Sequence, residues 1–289
     1  MRVLAFNHHG DCFRYMFSGF ESIGVRVDLA GWGLADNVCF PRCYGNLMPV
    51  SGFWEGFPVV GVDDGGYDFY LSVLPEVGVG FGGRGWFDCR LQAHRGLGGL
   101  CGVRSINDVG AGGFDFCGNW VPFQGVLRER RCVVQLINYP WRGCAVETRE
   151  LLALRRVLGG GRVVIAGHEA PDGFVDDRVV LPCAALLVHN KRSGVSCYAV
   201  CKALDYGVPV YMDRSTKALI GFGDLPDELF IFRDDFNLLE AYRIALGLDS
   251  GRIRDVYRSV YSLRRLGGCL SDILNRVRVG VVRGDFGVF

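Results

Sequence analysis

Several absences narrow the possibilities first. No apolar run approaches the roughly 20 residues that a membrane-spanning helix needs, so no membrane span is expected. Neither sign of charge dominates: 32 Lys and Arg face 31 Asp and Glu, a formal net charge of +1. There is thus no global signal for a polyanionic partner. Locally, Arg128, Arg130 and Arg131 form one candidate basic cluster. Cysteine pairs at zinc-finger spacing are missing. Cys39 and Cys43 bracket a Pro-containing loop and Cys197 and Cys201 share a helix face, but neither has a matching second pair, so no metal is expected. The chain shows no internal repeat and no low-complexity tail. Its start, Met1 to His9, turns polar after Phe6 and does not read as a signal peptide. Twelve cysteines without a secretory signal point to reduced thiols in a cytoplasmic compartment, the host cytoplasm for a viral chain.

What is present is the composition of a globular protein, 49% apolar and 22% charged. A chain of 289 residues is long for a single core, so two lobes are expected. Strand and helix signals alternate. Val3–Phe6, a helix from Cys12 to Ile23, and Val25–Leu29 make a βαβ start, and Tyr67–Leu74 reads as a further strand. Residues 31–66 read as an irregular insertion, and 77–125 give only weak strand signals. Cys132–Ile137 opens a second series. It continues with a helix over Glu147–Leu158 and strands at Val163–Ala166, Val179–Leu181 and Ala184–Val188. Phe230–Phe232 and helices over Asp235–Leu246 and Ile253–Arg264 follow. The expected class is α/β, two doubly wound, Rossmann-like lobes facing a central cleft, with residues 1–128 as the first lobe and 129–289 as the second.

The stretch from Ala184 to Asp213 organises the second lobe. An apolar strand runs into the polar turn His189-Asn190-Lys191-Arg192-Ser193-Gly194. A helix capped by Ser193 or Ser196 then runs to Gly207, and Val208–Met212 is the next strand. Two parallel strands joined by a crossover helix put the polar turn at the carboxyl edge of the sheet, where ligands bind. Backbone N–H groups at the helix start favour an anion there, phosphate above all. Lys191, Arg192 and Ser193 suit a diphosphate leaving group. Arg142, in the loop after the first strand of this lobe, offers a guanidinium fork that matches two phosphate oxygens, and a surface Arg beside Trp141 is the plain alternative.

Lys202-Ala-Leu-Asp-Tyr-Gly-Val-Pro-Val-Tyr-Met-Asp213 resembles the E-A-L-x-x-G-V-P-V segment of GT-B-type glycosyltransferases, which closes the donor-nucleotide site. The order strand, loop with Arg142-Gly143, helix, strand is also similar to phage DNA glucosyltransferases, where an Arg in that loop contacts the donor diphosphate. The resemblance spans roughly the last half of the chain. It implies a GT-B fold and a metal-independent transferase that moves a sugar from a nucleotide sugar to an acceptor hydroxyl. The nucleotide sugar is then a substrate and no cofactor is needed. The phage likeness makes a hydroxymethylated base of double-stranded DNA one acceptor. Position 202 departs from the family. Its Glu accepts hydrogen bonds from ribose hydroxyls, whereas Lys202 is a donor only and contacts a phosphate, a carboxylate or solvent.

The donor-side candidates are therefore Arg142, Lys191, Arg192, Ser193, Ser196, Lys202 and His168, the last of which follows a strand and can meet the nucleoside base. The catalytic candidates are His8, His9 and Asp11, behind the first strand of the first lobe. A His there, with an ordinary pKa of about 6.5, suits removal of an acceptor proton. An N-cap by Asp11 over a packed His8 is the structural alternative. No Asp-x-Asp pair follows an apolar strand; Asp63-Asp64 and Asp234-Asp235 read as turn residues. A nucleotide-sugar epimerase or hydrolase on the same scaffold, or a binding protein without turnover, are the competing functions. The sequence does not fix the oligomeric state.

Overall fold

A computed structural model describes residues 1–6, 18–30, 52–54, 57–60, 69–72, 85–87, 104–105, 129–137, 139–192 and 198–279. The chain divides into two compact units. The first comprises Met1–Trp120 with Leu263–Phe289, and the second Val121–Ser262.

The first unit carries a seven-stranded sheet of β1 (Arg2–Phe6), β2 (Arg26–Ala30), β3 (Gly52–Trp54), β4 (Phe57–Val60), β5 (Phe69–Ser72), β6 (Gly85–Phe87) and β7 (Arg104–Ser105). Their order is β3-β4-β2-β1-β5-β6-β7, and every neighbouring pair is parallel except β3 with β4. From β1 the chain builds outward through β2 to β4, then returns and builds the other way through β5 to β7. That reversal is the mark of a doubly wound sheet and places its switch point between β1 and β5. The strands β3, β4, β6 and β7 fall in segments whose glycine-broken sequence gave weak or no signals. Asp28 on β2 is fully buried, and both its oxygens are answered, by Arg2 Nη2 and by Arg26 Nε at 2.9 Å each. A paired charge is tolerated in such a place.

Residues 18–22 are helical, in keeping with the end of the expected first helix. They pack on a helix that the sequence reading did not separate, Leu263–Val279. The approach is close because both contact points are glycine. A β-carbon on Gly19 would lie 2.8 Å from Leu266 Cγ, and one on Gly267 would lie 2.6 Å from Ser22 Oγ. Residues 263–289, assigned from sequence to the second lobe, thus group with the first unit.

The second unit carries a five-stranded, wholly parallel sheet: β8 (Cys132–Leu136), β9 (Val163–Ala166), β10 (Ala184–Val188), β11 (Val210–Met212) and β12 (Phe230–Phe232). The order β12-β11-β10-β8-β9 is again doubly wound, with its switch point between β8 and β10. The helices are α1 (Pro140–Gly143), α2 (Ala145–Leu158), α3 (Asp177–Val180), α4 (Tyr198–Asp205), α5 (Arg214–Leu219), α6 (Leu238–Gly247) and α7 (Ser250–Val260), and α8 (Leu263–Val279) follows in the first unit. All five residues of β10 are buried, as its uninterrupted apolar run requires. Leu151 and Leu154 of α2 and Leu238, Ala241 and Ala245 of α6 join Val133, Ile165 and Leu186 of the sheet in one core.

The segment Val179–Leu181, expected as a strand, is helical instead. Asp176 caps it by accepting from Arg178 N at 2.9 Å, and Pro182 has no N–H to give to a ladder. The helix α6 begins at a capping box, with Asn237 accepting from Glu240 N and Glu240 accepting from Asn237 N. Gly207 ends the α4 segment as expected. Its φ is +75°, and a β-carbon there would lie 2.2 Å from the carbonyl oxygen of Ser250.

Candidate functional site

Because all five strands of the second sheet are parallel, the residues that follow them emerge along one edge. After β8 comes α1 with Trp141, Arg142 and Gly143, after β9 Gly167-His168-Glu169, and after β10 His189-Asn190-Lys191-Arg192. After β11 comes Asp213 and after β12 Arg233. The helix α2 also starts at this edge and presents Glu147 and Glu150 in its first turns. The switch point brings the β8 and β10 loops side by side. A β-carbon on Gly143 would lie 3.2 Å from Lys191 Cγ and 3.8 Å from its Cε, so the lysine stem runs along the α1 backbone.

Asn190 is the knot of this edge. It is buried, and its amide donates to Glu147 Oε1 at 2.9 Å and to Asp213 Oδ2 at 2.8 Å, while its oxygen accepts from Asp213 N at 3.0 Å. Both of its N–H donors and one acceptor site of its oxygen are thus spent on α2 and on the residue after β11. Arg233 donates to Glu147 Oε1 at 2.5 Å and to Glu150 Oε1 at 2.9 Å, and it lies 3.7 Å from Asp213. Arg192 donates to Asp213 Oδ2 at 3.1 Å. Burial pushes the Asp213 carboxyl up, but the bonds from Asn190 and Arg192 and the nearby Arg233 outweigh it and hold it below the ordinary range. For Glu150 burial wins over Arg233 and the carboxyl is raised.

These pairs decide which cations are available. Arg192 and Arg233 are engaged by carboxylates. Lys191 makes no ion pair among the described residues. Arg142 meets only a loose partner there, Glu169 at 3.4 Å, and its side chain is 73% exposed. Its guanidinium stands 5.0 Å from the centre of the Tyr139 ring. The imidazole of His168 meets Tyr139 edge-on at 5.1 Å and Phe174 at 6.0 Å. Arg142, Lys191 and His168 thus share the carboxyl edge, next to rings and a carboxylate. Such a group can hold an anion and stack on a planar ring.

Other sequence candidates fall elsewhere. Lys202 sits on α4 and donates to Asp177 Oδ2 at 2.5 Å, on the segment that feeds the amino end of β10. Its side chain is 12% exposed. Arg130 binds the carbonyl oxygens of Gly207 and Leu248, and Arg131 pairs with Glu129, so these two are held by local partners rather than lining a basic groove. Asp234 and Asp235 both bind Arg214, as turn residues. His8, His9, Asp11, Ser193, Ser196 and Arg128 lie outside the described residues. The sequence reading overlooked Asn190, Asp213 and Arg233. These three were legible only as strand-end positions, while Glu169 was read from sequence with Gly167 and His168 as a turn after a strand that can meet the nucleoside base.

No family model and no curated protein matches this chain. Among solved structures, AviGT4, a glycosyltransferase involved in avilamycin A biosynthesis, superposes with a TM-score of 0.65 at 12% identity, over 97% of this chain and 98% of that one. The fold is that of a GT-B glycosyltransferase. The calicheamicin glycosyltransferase CalG4 matches over 98% of this chain and 99% of that one, at a TM-score of 0.43 and 13% identity. WaaG, a glycosyltransferase involved in lipopolysaccharide biosynthesis, matches over 99% and 96%, at a TM-score of 0.43 and 9% identity. The expected α/β class, with a doubly wound parallel sheet in each unit, is the one found. Among the described residues no helix is long and apolar enough to cross a membrane.

Proposed function

We propose that this protein is a glycosyltransferase that moves a sugar from a nucleotide-sugar donor to an acceptor hydroxyl. The observation that supports the proposal is the contact of the Lys191 stem with the backbone of Gly143, the residue after Arg142, at the switch point of the second sheet. There the two cations hold the donor diphosphate and stabilise the charge that grows on it as the sugar leaves. Arg142 binds two oxygens through its planar fork and Lys191 acts as a point charge. Arg192 stays bound to Asp213 and supports the loop from the side. With this charge supplied by side chains, transfer proceeds without a metal, and chelation with EDTA should leave the rate unchanged.

His8, His9 and Asp11 remain the proposed acceptor base and its partners. The likeness of the Arg142 loop to phage DNA glucosyltransferases makes double-stranded DNA with hydroxymethylated bases one acceptor to include. A panel of nucleotide sugars incubated with and without acceptors tests the reading. Nucleoside diphosphate released only when an acceptor is present supports transfer. Release without acceptor points to a hydrolase, and binding without release to a protein that does not turn over.

A further inference from the structure

We propose that Cys132 and Cys183 form a reversible dithiol–disulfide pair, closed by exchange with a small anionic disulfide that enters the cavity they share. The site lies at the amino end of the second sheet, opposite the edge that carries Arg142 and Lys191, and does not rest on the transferase reading. Cys132 is the first residue of β8, and Cys183 directly precedes β10. These strands are neighbours, with Ala184 in register with Cys132. Arg131 N donates to Cys183 O at 2.8 Å, so the two backbones are tied one residue from Cys132. Both thiols are half-buried, and both line one surface cavity of about 500 Å³ together with Glu129, Arg131, Gly161 and Arg162. Burial, and after it the nearness of Cys183, pushes the Cys132 thiol up, against the pull of Arg131 and Arg162. The remaining described cysteines are placed otherwise. Cys144 and Cys201 are buried, and Cys269 belongs to the first unit.

Little holds the thiols apart. Cys132 Sγ gives only a weak bond to Gly161 O, at 3.6 Å. Adjacent strands stand about 4.8 Å apart and rise about 3.3 Å per residue, so Cα atoms one step off register fall at about 6 Å, inside the span of a disulfide. The walls select the oxidant. Arg131 is held by Glu129, whereas Arg162 makes no ion pair among the described residues, so the cavity favours a disulfide that carries carboxylates. One protein thiolate attacks a sulfur of that disulfide and expels one small thiolate. The second protein thiolate then attacks the mixed disulfide and expels the other. Two protein thiols become one disulfide, one small disulfide becomes two small thiols, and the two protein protons pass to the departing thiolates. Where thiols are otherwise kept reduced, such a bond is transient and senses oxidant. It closes a loop that contains α2, β9 and α3, and so removes entropy from the unfolded chain.

The test is peptide mapping of the reduced full-length protein after incubation with oxidised glutathione at about pH 9, where a larger share of the thiols is ionised. Remaining thiols are alkylated and the chain is cut with trypsin. Each cysteine then falls on its own fragment, Cys132–Arg142 or Val179–Lys191. The expected product is these two fragments joined by one disulfide and separated again by dithiothreitol. The oxidised protein should melt higher than the reduced one. Cys183→Ser should stop at a glutathione adduct on Cys132, with no rise in melting temperature. Oxidised glutathione should react severalfold faster than cystamine, whose ends are cationic, and Arg162→Ala should remove that difference. Fragments that are both alkylated, that each carry a separate glutathione, or that are joined to other cysteines overturn the pair. A linked pair that forms as fast with cystamine as with glutathione overturns the selection of an anionic disulfide.

Discussion

Lys191 lies along the backbone of Gly143, so close that a β-carbon on the glycine would stand 3.2 Å from the lysine Cγ. A larger side chain at 143 must displace the lysine stem from the α1 backbone. Gly143→Val is expected to weaken pyrophosphate binding severalfold, with a stability change of under about 1 kcal/mol, because the glycine is exposed. Calorimetry and thermal melting of the same variant check both halves.

Asn190 links three elements through buried hydrogen bonds. Asn190→Leu leaves Glu147 and Asp213 without a donor that they now share. The expected cost is about 2–4 kcal/mol, at the upper end for neutral groups because both acceptors are charged. The shift in denaturant midpoint measures it. A variant as stable as wild type would show that the network is ornamental.

Asp213 gives a pH signature. Its folded-state carboxyl lies below the ordinary value, so its contribution to stability is fully present above the unfolded pKa of about 3.9 and is lost as pH falls through the folded value. Asp205 and Glu150 are raised by burial and act in the opposite sense: they favour the folded state more as they take up protons. Asp213→Asn should therefore flatten the loss of stability on acidification below about pH 4 relative to wild type. Equilibrium unfolding at a series of pH values between neutrality and the acid transition checks this.

Lys202 separates the family pattern from this chain. Its ammonium is bound to Asp177 and mostly buried. Lys202→Met should lower stability by about 1–3 kcal/mol, because Asp177 keeps its charge and loses its partner. Nucleotide affinity should be unchanged. A variant that loses nucleotide binding without losing stability would return Lys202 to the donor site.

Much of the second sheet was legible because burial on both faces writes itself as apolar runs. Ala184–Val188 and Phe230–Phe232 form strands with the bounds read from sequence. Val179–Leu181 was misread for the same reason: three apolar residues in a row carry no period, and the cap by Asp176 decided the matter. The strands of the first sheet beyond β5 are two or three residues long and leave no pattern to find. The positions of Arg142 and Lys191 at the carboxyl edge were legible because residues that follow parallel strands share an edge by topology. Asn190 and Arg233 were not, since their roles depend on Glu147, which lies 43 and 86 residues away in sequence. Glu169 was legible as part of the turn Gly167-His168-Glu169 after a strand, but its positive φ was not.

The most direct measurement is calorimetric titration of a nucleoside diphosphate into wild type and into the double variant Arg142→Ala, Lys191→Ala. Saturable binding is expected in wild type and a loss of at least about a hundredfold in the double variant, two charge-assisted contacts each worth about tenfold. Both side chains reach solvent, so the double variant should melt with the wild type. Equal affinity in the two proteins would contradict the assignment of the diphosphate to this edge of the second sheet.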